Sequence, residues 1–137
     1  MLRLAAAADI PRIFAIRDGV RENRLSDPAA VTPTDVAGFI ERGALLVWEE
    51  DGAVAGFAAG DARDGTVWAL FVAPGQEGKG IGRALLKAAC DTLRQAGHRV
   101  ATLSTEKGTR AERHYRRDGW NVVGHNDKGE LVLQKPL

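Results

Sequence analysis

The sequence contains little of several residue types that build secreted, metal-binding and covalently catalytic proteins. One cysteine, Cys90, stands among 137 residues, so neither an internal disulfide nor a zinc site made of cysteines can form. Three histidines, His98, His114 and His125, show no metal-ligand spacing, and we predict no bound metal. This cysteine usage favours a reducing compartment, and we expect a cytoplasmic protein.

Excess charge and long apolar runs are also lacking. The 19 basic and 18 acidic residues give a formal net charge of +1, so no large field of one sign attracts nucleic acid or an anionic membrane. No apolar run approaches the roughly 18 residues that a membrane span requires. Residues 1–8 resemble the start of a signal peptide, but Asp9, Pro11 and Arg12 interrupt them. We therefore expect a small partner, and neither nucleic acid nor membrane.

What is present suits one compact domain over residues 1–137. A hydrophobic content of 45% in this length provides for one sizeable core. A first strand lies around residues 2–4, Asp9 caps a helix that ends near Gly19, and Thr32 caps a second helix that closes at Gly43. The later pattern predicts strands at 45–48, 53–58, 66–72, 99–104, 120–124 and 130–135, with helices at 81–96 and about 109–118.

This order is strand, two helices, three strands, helix, strand, helix and two strands. It predicts an α/β layer fold with a mixed sheet, in which residues 66–72 form the central strand.

A glycine-rich turn connects that central strand to the third helix. Gly78, Gly80 and Gly82 leave several main-chain N–H groups uncovered where the helix begins. The helix dipole adds about half a positive charge there, and Lys79 and Arg83 add full charges. The turn is therefore predicted to bind phosphate.

Spacing excludes two familiar phosphate-binding motifs. A Walker loop needs a glycine at position 73 and Ser or Thr at position 80, but Ala73 and Gly80 stand there. A dinucleotide fingerprint counted from Gly78 meets Arg83 where its third glycine belongs, and counted from Gly80 it meets Leu85.

The turn resembles the acetyl-coenzyme A motif of the GNAT N-acetyltransferases. That motif, Gln or Arg, two residues, Gly, one residue, Gly or Ala, aligns on Glu77, Gly80 and Gly82, with Glu77 departing from its first position. The strand at 70–72 and the segment 111–120, with its Ala, Tyr and Gly-aromatic pattern, extend the resemblance.

The resemblance implies a largely antiparallel sheet of about seven strands with four helices, and acetyl-coenzyme A as co-substrate. It implies a bulge in the central strand, and a wedge that opens toward residues 103–105. It also assigns cofactor binding to the strand and the turn, namely Leu70, Phe71, Val72, Glu77, Gly78, Lys79, Gly80, Ile81, Gly82 and Arg83.

The resemblance further assigns the proton transfers that amine acetylation needs. Tyr115 matches the family tyrosine near the cofactor sulfur, where it protonates the departing thiolate. No carboxylate lies in the predicted central strand, so the base is expected to act through water. Glu22, in the segment between the first two helices, is the first candidate, and Glu106, His114 and Asp61 are weaker ones.

Several alternatives stay open at this stage. Tyr115 can be a packing anchor, and Glu22 a solvated charge among arginines. The chain can be an N-acetyltransferase for a small-molecule or peptide amine, a non-catalytic acetyl-coenzyme A sensor, or an unrelated nucleotide-phosphate protein. Cys90 has no base beside it in sequence, which favours direct attack over an acetyl-cysteine route. A homodimer partner also remains open.

Overall fold

The computed structural model describes residues 1–19 and 32–137. Within them, seven strands and four α-helices follow one another in the predicted order, and the predicted α/β fold class is confirmed. A short 3-10 turn at Ala7–Asp9 precedes the first helix. The elements are β1 Leu2–Leu4, α1 Ile10–Gly19, α2 Pro33–Glu41, β2 Leu45–Glu50, β3 Ala53–Asp61, β4 Thr66–Val72, α3 Ile81–Gln95, β5 Val100–Thr105, α4 Arg110–Arg117, β6 Asn121–His125 and β7 Leu131–Pro136.

The strands form one mixed sheet in the order β1-β2-β3-β4-β5-β7-β6. All neighbouring strands are antiparallel except β4 and β5, which run parallel. Three strands lie on each side of β4, so the prediction that residues 66–72 form the central strand is confirmed.

Helices cover both faces of this sheet. Successive side chains of β3 enter different cores because a strand projects them alternately to its two faces. Ala58 joins the core beneath α3 and α4, whereas its neighbours Phe57 and Ala59 join the core beneath α1 and α2. In the described ranges, no helix combines the length and apolar character needed to cross a membrane.

The first two helices begin by different capping arrangements. At α2, Thr32 accepts the Asp35 N–H at 3.2 Å, and the Asp35 carboxylate accepts the Thr32 N–H at 2.9 Å. Asp9 was predicted to be the N-cap of α1, which is wrong. It is the last residue of the 3-10 turn that runs into α1, three positions after Ala6, the N-cap of that turn, whose N–H its carboxylate accepts at 2.8 Å while pairing with Arg3.

Helix α3 packs closely on β3 because two strand glycines lack side chains. A Cβ added at Gly60 would lie 2.9 Å from the Ala89 carbonyl oxygen of α3, and one at Gly56 would lie 3.0 Å from Leu85 Cδ1 of the same helix. The backbone of Ala89 cannot move aside as a flexible side chain can. Gly60 therefore limits the distance between the helix and the sheet most directly.

We expect Gly60→Ala to lower the free energy of unfolding by about 1–3 kcal/mol, because the new methyl group overpacks the α3–β3 interface. Urea denaturation of both proteins measures this difference. Gly124→Ala is the matched control, since a Cβ there meets no atom within 4 Å, and its expected change is below about 0.5 kcal/mol. Equal losses in the two variants would contradict the packing explanation.

Candidate active site

Strands β4 and β5 diverge from a single point of contact. In the described chain their one paired position joins Thr66 to Thr102. On its other side, β4 pairs with β3 so that Ala59 opposes Ala69 and Gly60 opposes Val67. The residue left over on β4, Trp68, forms a bulge. The bulge and the wedge that the resemblance implied are therefore both present.

A cleft occupies the wedge between the two strands. It holds about 480 Å³ of empty space, including its open mouth. Residues 70–72 of β4 pair with β3 on one side, whereas the strand ladder with β5 does not reach them. Main-chain groups on that edge can therefore bind an extended ligand. The cleft is lined by Val67, Trp68, Ala69, Leu70, Phe71, Leu103, Ser104, Tyr115 and Glu130.

The glycine-rich turn leads from this edge into α3. Gly78 and Gly80 have φ angles of 78° and 81°, in the left-handed region that glycine adopts without strain. A Cβ at either position would meet no atom within 4 Å, so the surface of the turn is open. The first helical hydrogen bond joins the Ala84 N–H to the Gly80 carbonyl. The N–H groups of residues 81–83 thus have no acceptor within the helix.

Charged side chains surround the turn in an arrangement that the sequence pattern did not reveal. The Glu77 carboxylate lies 3.4 Å from the guanidinium of Arg110, the first residue of α4. The backbone N–H of Glu77 itself, then that of Gly75 and the Arg110 side chain, hold the pKa of Glu77 below its usual value against the opposing effect of burial. Lys79 donates instead to the Gln76 amide oxygen at 2.9 Å. The ion pair of Glu77 therefore involves Arg110 of a different helix and not the neighbouring Lys79.

Helix α4 places Tyr115 in the cleft. The Thr109 hydroxyl caps the helix by accepting the Glu112 N–H at 3.2 Å. Tyr115 is only 6% exposed and meets the Trp120 ring edge-on, with the ring centroids 6.1 Å apart. Burial raises the pKa of its phenol, which keeps the proton on the oxygen at neutral pH.

Glu130 is a cleft residue that the sequence analysis missed. It precedes β7, and its Oε1 accepts the Asn126 side-chain amide at 3.0 Å. The Asn126 oxygen in turn accepts the N–H groups of Lys128 and Glu130, both at 3.0 Å. The sequence analysis predicted only a strand over residues 130–135, and a strand pattern does not indicate which cleft a side chain at its end will line.

The other proposed bases lie in different places. Glu22 falls outside the described residues. Asp61 is 6% exposed and pairs with Arg63 at 2.8 Å, at the end of β3 opposite Thr66, and it does not line the cleft. Glu106 is exposed beyond the end of β5, and the ring of His114 contacts that of Tyr115 with centroids 6.1 Å apart.

Neither an activated cysteine nor a cluster of metal ligands is found among the described residues. Cys90 is half-buried on α3, and burial raises the pKa of its thiol, which disfavours the reactive thiolate. Among residues 1–19 and 32–137, no three His, Cys, Asp or Glu side chains form a group able to hold a metal ion.

A second cavity lies on the opposite face of the same segment of β4, beneath α1 and α2. It shares Trp68, Ala69 and Phe71 with the wedge cleft. Trp68 stacks on Phe39 of α2, with ring centroids 4.4 Å apart. The bulged part of β4 therefore separates a partly polar cleft from a largely apolar cavity. This second cavity is lined by Ile13, Phe14, Arg17, Val36, Phe57, Trp68, Ala69 and Phe71.

Known proteins are similar to this chain in sequence and in architecture. The family model described as "Acetyltransferase (GNAT) family" matches residues 13–120. An uncharacterised N-acetyltransferase of Mycobacterium bovis is 30% identical over 119 residues, which cover 73% of this chain and 76% of the relative.

Solved structures agree with that assignment. A ribosomal-protein-alanine N-acetyltransferase from Brucella melitensis superposes with a TM-score of 0.78 at 25% identity, over 100% of this chain and 99% of the other. A putative acetyltransferase from Salmonella typhimurium, solved with acetyl-coenzyme A, gives 0.79 at 25% identity, over 100% and 93%. Together with the family model and the 30%-identical relative, these likenesses show that the chain belongs to the acetyltransferase (GNAT) family.

Proposed function

We propose that this protein transfers an acetyl group from acetyl-coenzyme A to a primary amine of a small molecule or peptide, by direct attack in a ternary complex. The observation that carries the proposal is the pair of cavities on opposite faces of the bulged segment of β4. A donor in the wedge cleft and an acceptor in the second cavity would meet across the same few residues. The similar Salmonella protein holds acetyl-coenzyme A, which supports this choice of donor.

The residues present fit that donor. The open turn from Glu77 to Arg83 offers main-chain N–H groups and left-handed glycines without Cβ atoms in the way, which suits a pyrophosphate. The β4 edge at Leu70, Phe71 and Val72 faces away from its ladder with β3, which suits the amides of pantetheine. We assign cofactor binding to these positions, with Gly78, Lys79, Gly80, Ile81 and Gly82 completing the turn.

The protein's part in the chemistry is to position groups and move protons. Acetyl-coenzyme A, when bound, supplies a thioester whose carbon–sulfur bond is exchanged for a carbon–nitrogen bond, while the amine loses a proton and the sulfur gains one. Tyr115 lines the cleft with a protonated phenol and is the proposed acid. Glu22 remains a proposed base. Glu130 joins it because this residue lines the same cleft as Tyr115.

We expect Tyr115→Phe to lower kcat about 10²-fold, because the variant keeps the ring and loses the acid. Thiol release from acetyl-coenzyme A with a panel of amines measures turnover, and calorimetry measures cofactor affinity. Thr92→Val on α3 is the control, since it also removes one hydroxyl but lies outside the cleft. Undiminished turnover in Tyr115→Phe would show that the phenol is a packing group.

We expect Glu130→Gln to lower kcat/KM about 10²-fold and to leave the affinity for coenzyme A unchanged, because the amide cannot accept the amine proton. Glu22→Gln, measured in parallel, tests the other proposed base. A large loss in Glu22→Gln with full activity in Glu130→Gln would assign the base to Glu22.

We expect Glu77→Gln to tighten coenzyme A binding about two- to fivefold, because an exposed negative charge beside the phosphates is removed. Calorimetry at low salt measures the dissociation constant. Glu41→Gln removes an exposed charge from the end of α2 and is the control. Weaker binding in Glu77→Gln would mean that the carboxylate organises the turn through the N–H groups of Glu77 and Gly75.

The alternative function is a sensor that binds acetyl-coenzyme A without using it. Tight binding without turnover of any amine would favour that alternative. Thermal protection compares coenzyme A with ATP and NAD, because a ligand that binds only the folded state raises Tm. Protection by ATP or NAD with none by coenzyme A would reject both functions in favour of a nucleotide-phosphate protein.

A further inference from the structure

Tyr115 and Trp120 are linked through the backbone at the end of α4. The helix ends in a Schellman motif, in which Gly119 adopts a φ angle of 92°. The Gly119 N–H donates to the Arg116 carbonyl at 3.2 Å. The Trp120 N–H donates to the Tyr115 carbonyl at 3.1 Å. This motif brings the residue after the glycine back beside the third residue from the end of the helix, which is Tyr115.

The two aromatic rings meet at the place where the motif brings them together. Their centroids lie 6.1 Å apart and their planes make an angle of 60°, the edge-to-face geometry that aromatic rings favour. Trp120 is 2% exposed, and both rings belong to the core beneath α3 and α4, together with Leu131 and Leu133. The Tyr115 ring therefore cannot shift toward Trp120 without displacing a buried indole.

Hydrogen bonding does not hold the phenol in the described part of the chain. No backbone or side-chain group of residues 1–19 and 32–137 forms a hydrogen bond with the Tyr115 hydroxyl, although this residue lines the wedge cleft. The position of the phenol oxygen therefore depends on how the ring is packed.

The indole of Trp120 is also held by packing. Its Nε1–H is buried and has no acceptor among the described residues, and a buried donor without an acceptor lowers stability. Replacing the indole with a phenyl ring removes this N–H and breaks no side-chain hydrogen bond within that part of the chain. Trp120→Phe therefore changes the size of the ring against Tyr115 and little else.

We propose that Trp120 is a positioning residue, whose indole fixes the Tyr115 phenol at the wedge cleft and acts on the reaction through that phenol. This inference rests on the proposed function, in which Tyr115 protonates the departing thiolate. Proton transfer needs donor and acceptor atoms about 2.6–3.2 Å apart, so a small displacement of the ring slows turnover. The glycine-rich turn and the β4 edge, to which we assign cofactor binding, are left unchanged by such a displacement.

A matched pair of variants tests the effect on turnover. Trp120→Phe should lower kcat about tenfold because the acid is misplaced, while calorimetry shows little change in affinity for coenzyme A. Trp48→Phe is the control, since it makes the same change on β2, outside both cavities, where the indole donates to Glu50 at 2.7 Å. Urea denaturation checks that both variants fold. An unchanged kcat in Trp120→Phe, or an equal loss in Trp48→Phe, would overturn the inference.

A double variant separates positioning of the phenol from other effects of Trp120. If Trp120 acts through the phenol, Trp120→Phe lowers kcat about tenfold when Tyr115 is present and changes it little in the Tyr115→Phe background. Equal losses of kcat in the two backgrounds would show that Trp120 acts by another route, and would overturn the inference.

A spectroscopic measurement separates this inference from the proposed function. The chain has one tyrosine, so biosynthetic incorporation of fluorotyrosine gives a fluorine signal from Tyr115 alone. Fluorine relaxation in the folded protein then reports the mobility of this ring. We expect the ring to be more mobile in Trp120→Phe than in the unaltered protein or in Trp48→Phe.

The two hypotheses can therefore fail separately. Full turnover in Tyr115→Phe would reject the proposed acid, and the mobility of the ring would then decide alone whether Trp120 holds it. Equal mobility of Tyr115 in the unaltered protein and in Trp120→Phe would overturn the positioning role, whether or not the protein is an enzyme.

Discussion

The parallel contact between β4 and β5 at one residue pair, Thr66 with Thr102, is the constraint on which the site depends. Each of the two strands is held along its other side, β4 by β3 and β5 by β7. Because both halves of the sheet are anchored, their divergence opens a cleft without leaving either strand unsupported. The bulge at Trp68 lies just beyond the contact and increases the local twist. Both cavities border the segment that this divergence exposes.

The wedge cleft and the turn that follows it rely largely on the backbone. The β4 edge and the turn contribute main-chain groups, and glycines at positions 78 and 80 keep side chains away from them. Such a site depends on conformation more than on side-chain identity. This explains how Glu77 can stand where the family motif has Gln or Arg, with its charge paired to Arg110 of another helix.

The two faces of β4 differ because different helices cover them. On one side, α4 and the β6–β7 hairpin contribute Tyr115 and Glu130, so groups able to transfer protons border the cleft. On the other side, α1 and α2 contribute Ile13, Phe14 and Val36 with one cation, Arg17. Because side chains alternate along a strand, β4 can border two separate environments, one on each face of the sheet.

The sequence by itself determined the order of elements, the central strand at residues 66–72, the helix after the glycine turn and the family. Local signals carry these features: apolar periodicity, capping residues and glycines act over a few positions. Tertiary structure alone decided which distant side chains meet. Arg110 lies 33 positions after Glu77, and Glu130 lines the same cleft as Tyr115 only because β7 pairs with β5. Such contacts follow from strand pairing and helix packing, which a pattern over a few neighbouring residues does not predict.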